Sequence, residues 1–245
     1  LFLIFCVIWS MFLFRGSAAA LGNYTNDGAW VSQALGRAMD GLSHGTLEFL
    51  EGFGLLLHIG IMLGFLIEVV HSKHLHIFAG PINVAFKRPP VALGAAQPLM
   101  VNGKAVTMED LEEMEDEEPV LGVGKVEDFT WKAMLDFATC TECGRCQSQC
   151  PAWNTEKPLS PKMLIMNLRD AAFAKGPWIL AAEGAREGLP ESVQEAAARP
   201  LVGATEGDPT YPDGGAAIDP DGRWSCVTCG ACGQQCPVDI EHVGH

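Results

Sequence analysis

The chain has 245 residues, of which 48% are apolar, and a formal net charge of −14. That length holds one or two domains, and so acidic a balance excludes the basic face that nucleic-acid phosphates require. Apolar residues crowd the first ninety or so positions and charges crowd the remainder, which predicts a membrane region and then a water-facing domain.

Residues 1–14 (LFLIFCVIWSMFLF) are continuously apolar and closed by Arg15. A bilayer crossing needs about 20 residues. Because the run is already under way at Leu1, it reads as the end of a truncated transmembrane helix, and the polypeptide as a piece of a longer one. The rival reading is the apolar region of a signal peptide with residues 17–20 as its cleavage site, although a basic start is missing. Residues 16–46 form a polar connection in which Trp30, Ala34, Ala38 and Leu42 fall on one stripe. The spacing predicts an amphipathic helix, lying on a membrane surface or against neighbouring helices.

Residues 47–70 are apolar over a spanning length, and the pattern stays helical to about residue 78, where Gly80-Pro81 should end it. Lys73, Lys87 and Arg88 come next without an acidic neighbour, so the positive-inside rule places the chain beyond Val70 in the cytoplasm, on a multi-pass cell-membrane protein. His58 lies inside the span, and intramembrane ionisable residues are functional candidates. His76 comes five helical turns later, on the same side and about 27 Å away. Two haems b, one near each membrane surface, would suit that pair, with Gly54 leaving room for a porphyrin. The alternatives are a hydrogen bond from His58 across a helix bundle, and lipid or water contacts for His71, His74 and His76.

The membrane region is thus expected over residues 1–88, and residues 89–124 read as an acidic linker. Asn102-Gly103 between short apolar runs suggests a hairpin. Residues 108–118 (MEDLEEMEDEE) read as a solvated face or mobile segment, with a docking patch for a basic redox partner as the alternative.

The last segment, residues 125–245, carries the strongest signal. Residues 140–151 read CTECGRCQSQCP and residues 226–237 read CVTCGACGQQCP, two copies of Cys-x2-Cys-x2-Cys-x3-Cys-Pro that hold eight of the nine cysteines. Thiolates at i, i+3 and i+6 on one loop can grip three irons of a cubane, and the fourth cysteine of such a run serves the other cluster. The expected sets are Cys140, Cys143, Cys146 and Cys236 for one [4Fe–4S] cluster, and Cys226, Cys229, Cys232 and Cys150 for the other. Zinc knuckles use cysteines two at a time, and a disulfide framework needs an oxidising compartment; both remain weaker alternatives. Trp131, Met134, Leu135 and Ala138 predict an amphipathic helix into the first run. Ser160-Pro161 opens another, which Gly176-Pro177 should close, and a third covers residues 191–198. Residues 201–223 read as loop. The fold class expected is all-α: transmembrane helices followed by a helical ferredoxin domain with two clusters.

The segment FTWKAMLDFATCTECGRCQSQCPAWNTEKPLSPK and the later WSCVTCGACGQQCPVDIEHV resemble membrane-bound iron–sulfur oxidoreductases related to heterodisulfide reductase, and the iron–sulfur subunits of glycolate and anaerobic glycerol-3-phosphate dehydrogenases. Their cluster module is the helical ferredoxin domain also found in succinate dehydrogenase. The histidine-bearing membrane part looks like a nitrate-reductase-gamma-type cytochrome b. The resemblance implies electron relay between a membrane quinone or haem site and a cytoplasmic redox module, with further membrane helices and that module supplied elsewhere. No catalytic acid, base or nucleophile is expected in these residues. A catalytic disulfide reductase of the heterodisulfide type and a membrane-tethered zinc adaptor are the rival functions.

Overall fold

The computed structural model describes residues 2–24, 28–89, 99–101, 104–113, 122–203 and 215–244. The chain is mostly helical and divides into two compact units, Leu1–His74 and Leu75–His245.

The first unit contains α1 (Phe2–Ala20), α2 (Trp30–Met39) and α3 (His44–Val70). Helix α1 does not stop at Arg15. Ser17 Oγ donates to Leu13 O at 2.9 Å, so its hydroxyl is satisfied inside the helix, and three alanines carry the helix on. The amphipathic helix α2 packs on α1 through glycine: a Cβ added at Gly36 would sit 2.8 Å from Ala19 Cβ. Ser43 caps α3, its Oγ accepting from Thr46 N at 3.3 Å. Helices α1 and α3 are both long and apolar enough to cross a membrane. On α3, Phe49, Leu56, Leu63 and Ile67 form an outward stripe, each more than half exposed. A core helix of a water-soluble domain would bury such a stripe; lipid or partner helices suit it.

The helix expected to reach residue 78 ends at Val70. The polar run after it takes over the last carbonyls: His71 Nδ1 donates to Ile67 O at 2.9 Å and Ser72 Oγ to Val69 O at 3.5 Å. A short 3₁₀ turn, Lys73–Leu75, then leads into a separate helix, α4 (His76–Ala85). Pro81 lies inside α4 instead of ending it. Only one intrahelical bond is forfeited, and Gly80 before it has no Cβ to clash with the proline ring.

In the second unit, strands β1 (Leu99–Val101) and β2 (Lys104–Val106) pair antiparallel with Leu99 opposite Val106. The Asn102-Gly103 turn itself lies outside the described residues. Helix α5 (Met108–Glu113) holds the first half of the acidic run, the rest of which is also outside them. Then come α6 (Trp131–Thr139), α7 (Arg145–Ser148), α8 (Pro151–Asn154), α9 (Pro161–Leu180), α10 (Glu191–Ala198), α11 (Pro220–Trp224) and α12 (Ala231–Gln235). The core joins Phe137 of α6, Ile165, Leu168 and Ala172 of α9, and Leu201, Ile218 and Ile240 from later segments. Two sequence expectations fail here. Helix α9 runs through Gly176-Pro177 to Leu180, and both ends of the 201–223 stretch expected as loop are ordered: Leu201 and Ile218 enter the core, Val202 is bridged to Ile218, and α11 starts at Pro220.

Helix α6 turns a different face inward from the one its apolar spacing suggests. Trp131 is exposed, whereas Lys132, Ala133, Asp136 and Phe137 are buried. Two opposite charges at i, i+4 neutralise each other, so this face can be buried despite its polar letters.

Candidate functional site

The two cysteine runs adopt the same backbone course. The second residue after the leading cysteine is left-handed in each, Glu142 at φ 57° and Thr228 at φ 51°. Non-glycine residues in that region are uncommon and costly. Here the twist turns an N–H back on the sulfur: Thr228 N donates to Cys226 Sγ at 3.4 Å, and Glu142 N makes the equivalent bond to Cys140. Gly144 (φ 79°) and Gly230 (φ 73°) then open α7 and α12. Glycine takes that conformation without the Cβ penalty.

Further amides point at sulfur. Arg145 N donates to Cys143, Gln147 N to Cys146, Gly233 N to Cys232, and the amides of Val238 and Ile240 to Cys236. Such bonds favour the thiolate. Burial acts against them and dominates at four positions. It raises the thiols of Cys140 and Cys236, and pushes Cys146 up to about 11 and Cys232 up to about 12. At the exposed Cys143 burial also raises the thiol. There the Arg145 amide, the Thr141 hydroxyl and the Arg145 charge outweigh it, and the net shift is downward. Buried sulfurs ringed by N–H donors lack only a cation to become thiolates, which is the chemistry of a metal–thiolate site.

The eight sulfurs sort into two cavities. One, of about 280 Å³ including its mouth, is lined by Cys140, Cys143, Cys146 and Cys236. The other, of about 320 Å³, is lined by Cys150, Cys226, Cys229 and Cys232. Each set of four is three cysteines from one run and the last cysteine of the other. Among the described residues, no three His, Cys, Asp or Glu side chains converge on a point that one metal ion could occupy. Four cysteines line each space and amides point at their sulfurs, a donor set that fits a thiolate-ligated iron–sulfur cluster.

A buried network brings the last cysteine of the second run beside the first. Asp136, fully buried, accepts from Lys132 Nζ at 2.8 Å, from Asn83 Nδ2 at 2.7 Å and from Glu241 N at 3.4 Å. Asn83 Nδ2 also donates to Val238 O at 2.9 Å, two residues after Cys236. Lys132 Nζ reaches Glu241 Oε1 at 3.3 Å, and Arg88 pairs with the same carboxylate, as Lys87 does with Asp239 at 3.2 Å. Helices α4 and α6 therefore clamp the tail of the second run. Sequence reading missed Asn83, Lys132, Asp136 and Glu241. The i, i+4 Lys–Asp spacing was the one available signal, and it is the spacing of countless exposed pairs.

His58 takes the alternative placement, a hydrogen bond across the helix bundle. His58 faces α1: its Nδ1 lies 3.1 Å from both Val7 O and Ser10 Oγ, and its ring is 5.5 Å from that of Phe14. The space a porphyrin would need beside Gly54 is filled by Phe14, whose backbone N is 2.9 Å from where a Cβ on Gly54 would fall. His58 and Gly54 thus serve helix packing, and this face does not fit haem. His76 opens α4, a helix separate from α3, so the one continuous helix on which the two imidazoles were expected five turns apart is not formed.

Residues 139–240 match the model of the 4Fe-4S dicluster domain family. The chain is 37% identical over 202 residues to "Probable iron-sulfur-binding oxidoreductase FadF" of Bacillus subtilis, covering 76% of this chain and 26% of that protein. It is 35% identical over 179 residues to "Probable membrane-anchored ferredoxin" of Chromohalobacter salexigens, covering 69% and 23%. It is 36% identical over 189 residues to "EtfAB:quinone oxidoreductase" of Syntrophomonas wolfei, covering 76% and 24%. The chain thus spans about a quarter of the length of these relatives. No solved structure matches it. Residues 139–240 thus carry the pattern of a 4Fe-4S dicluster domain, and the chain is similar to proteins named as an iron–sulfur-binding oxidoreductase and a membrane-anchored ferredoxin.

Proposed function

We propose that the chain holds two [4Fe–4S] clusters by crossed ligation, one on Cys140, Cys143, Cys146 and Cys236, the other on Cys150, Cys226, Cys229 and Cys232, and that it relays single electrons between a membrane quinone and a redox module on the cytoplasmic side. The observation that carries this reading is the sorting of eight cysteines into two cavities of four, each completed by the other run. When bound, the clusters supply one-electron chemistry. The protein's own residues hold them near each other, aim amides at sulfur and exclude bulk water from the inner ligands. A quinone is favoured by the relative named for quinone oxidoreduction, and a membrane setting by the relative named as membrane-anchored and by the two apolar helices. The multi-pass topology and cytoplasmic side belong to this proposal, resting on the basic residues Lys73, Lys87 and Arg88 after the second apolar helix.

The test is iron and acid-labile sulfide analysis of anaerobically purified chain, with EPR of the reduced protein. About eight irons and eight sulfides per polypeptide, with an EPR signal from two interacting clusters, support the reading. A colourless protein carrying zinc and no sulfide overturns it.

A further inference from the structure

We propose that Lys162 and Arg169 make the two sites unequal, giving the group held by Cys140, Cys143, Cys146 and Cys236 the higher reduction potential, so that the electron rests there. This rests on the two-cluster reading above. Each site has four cysteines, one of them exposed, Cys143 or Cys226. Among the described residues the amides found on sulfur number five at the first site and two at the second, which acts in the same direction as a facing cation. The difference in charge lies in the other side chains that face the cavities.

Lys162 lines the first cavity from the opening turn of α9. That turn is fixed by Pro161 and by Ser160, whose Oγ accepts from Met163 N at 3.2 Å and donates to Gln147 Oε1 at 2.6 Å. Among the described residues no carboxylate pairs with Lys162. Two turns on, Arg169 has a side chain only 11% exposed, and it meets Glu142 of the first loop at 2.9 Å and Asp170 at 3.0 Å. Glu142 is the one carboxylate in the lining, and Arg169 offsets it. Asp170 is mostly exposed, so water screens it. Lys162 therefore leaves the first lining net positive. His242 also lines this cavity, its Nδ1 donating to Ile240 O at 3.0 Å, and it contributes either nothing or a further positive charge. Besides cysteine, the second cavity is lined by Pro151, Ala152, Leu159, Pro161, Val227, Gly230 and Val243, with no charge among them.

An added electron deepens the negative charge of a thiolate-ligated group. A facing cation lowers the cost of that electron, and more so where water is excluded. Two features oppose this. Asp136 acts on Cys236, but it is already bonded to Lys132 and Asn83. The first site also buries two of its cysteines, Cys140 and Cys146, against one, Cys150, in the second. That same burial strengthens the attraction of Lys162, so the cation term grows with the term that opposes it.

The experiment is an anaerobic EPR-monitored redox titration of the intact chain, with iron and sulfide measured on every sample. Wild type should show two separate reduction waves. Lys162→Met should move the higher wave to lower potential and leave the lower wave in place, and Lys162→Arg should restore it. Glu142→Gln should move the higher wave up, a check that stands even if Lys162→Met loses iron. A single wave in wild type overturns the inference, as does a Lys162→Met shift in the lower wave, in both waves equally, or in neither. Absence of iron and sulfide from wild type would instead sink the two-cluster reading itself.

Discussion

Lys132→Met tests the clamp that seats the second cysteine run beside the first. Its ammonium is 2.8 Å from Asp136 Oδ1 and 3.3 Å from Glu241 Oε1, with side-chain exposures of 3% for Lys132 and 0% for Asp136. At 2.8 Å and an effective dielectric near 20, the pair attracts by about 6 kcal/mol before desolvation is charged against it. Removing one partner leaves Asp136 buried and ionised beside a second carboxylate, and such losses cost about 3–5 kcal/mol. Methionine fills much the same space, so the loss is electrostatic rather than a cavity effect. With a urea dependence of about 2 kcal/mol per molar, the midpoint of urea-induced bleaching of the iron–sulfur absorption should fall by about 2 M. The double variant Lys132→Met/Asp136→Leu should recover part of that, because the buried unpaired charge is gone although Asn83 Nδ2 and Glu241 N lose an acceptor. A single variant that bleaches at the wild-type midpoint, or a double variant no better than the single, would refute the reasoning.

The same geometry sets three other outcomes. Cys150→Ser should lower iron and sulfide by up to about half, from the site of the second run, while the EPR signal of the other site persists; equal loss of both signals in a protein with unchanged circular dichroism would count against crossed ligation. Gly54→Leu should force α1 and α3 apart at Phe14, costing about 1–3 kcal/mol of overpacking, and should be read as a lower melting temperature in detergent; unchanged melting would show that the two helices do not meet there. Burial raises the Glu241 carboxyl, but the Arg88 hydrogen bonds and the Lys132 charge outweigh it and lower it below the usual carboxylate range. A group with a depressed folded value contributes stability above its unfolded value of about 4.3 and loses it as pH falls through the folded one. Glu241→Gln should therefore destabilise the chain at pH 7, with the gap from wild type closing on acidification; a gap that stays constant down to about pH 3 would remove Glu241 from the clamp.

By itself the sequence determined what is local and periodic. The two Cys-x2-Cys-x2-Cys-x3-Cys-Pro runs, the glycines that start α7 and α12, the Ser160-Pro161 start of α9 and the helix at residues 191–198 are all written in short spacings, because caps, turns and metal loops are built from neighbours in the chain. The length and apolarity of α3 were equally plain. Its end was not, since His71 and Ser72 stop the helix with side-chain bonds that no periodicity records, and the haem alignment depended on that end. Only the tertiary structure decided which face of α6 goes inward, that Phe14 occupies the space beside Gly54, and that Asn83 reaches Asp136 and Val238 across more than fifty positions. The physical reason is the same each time. A charge or a glycine has no intrinsic side, and whether it faces water, lipid or another backbone depends on the distant partner that compensates it.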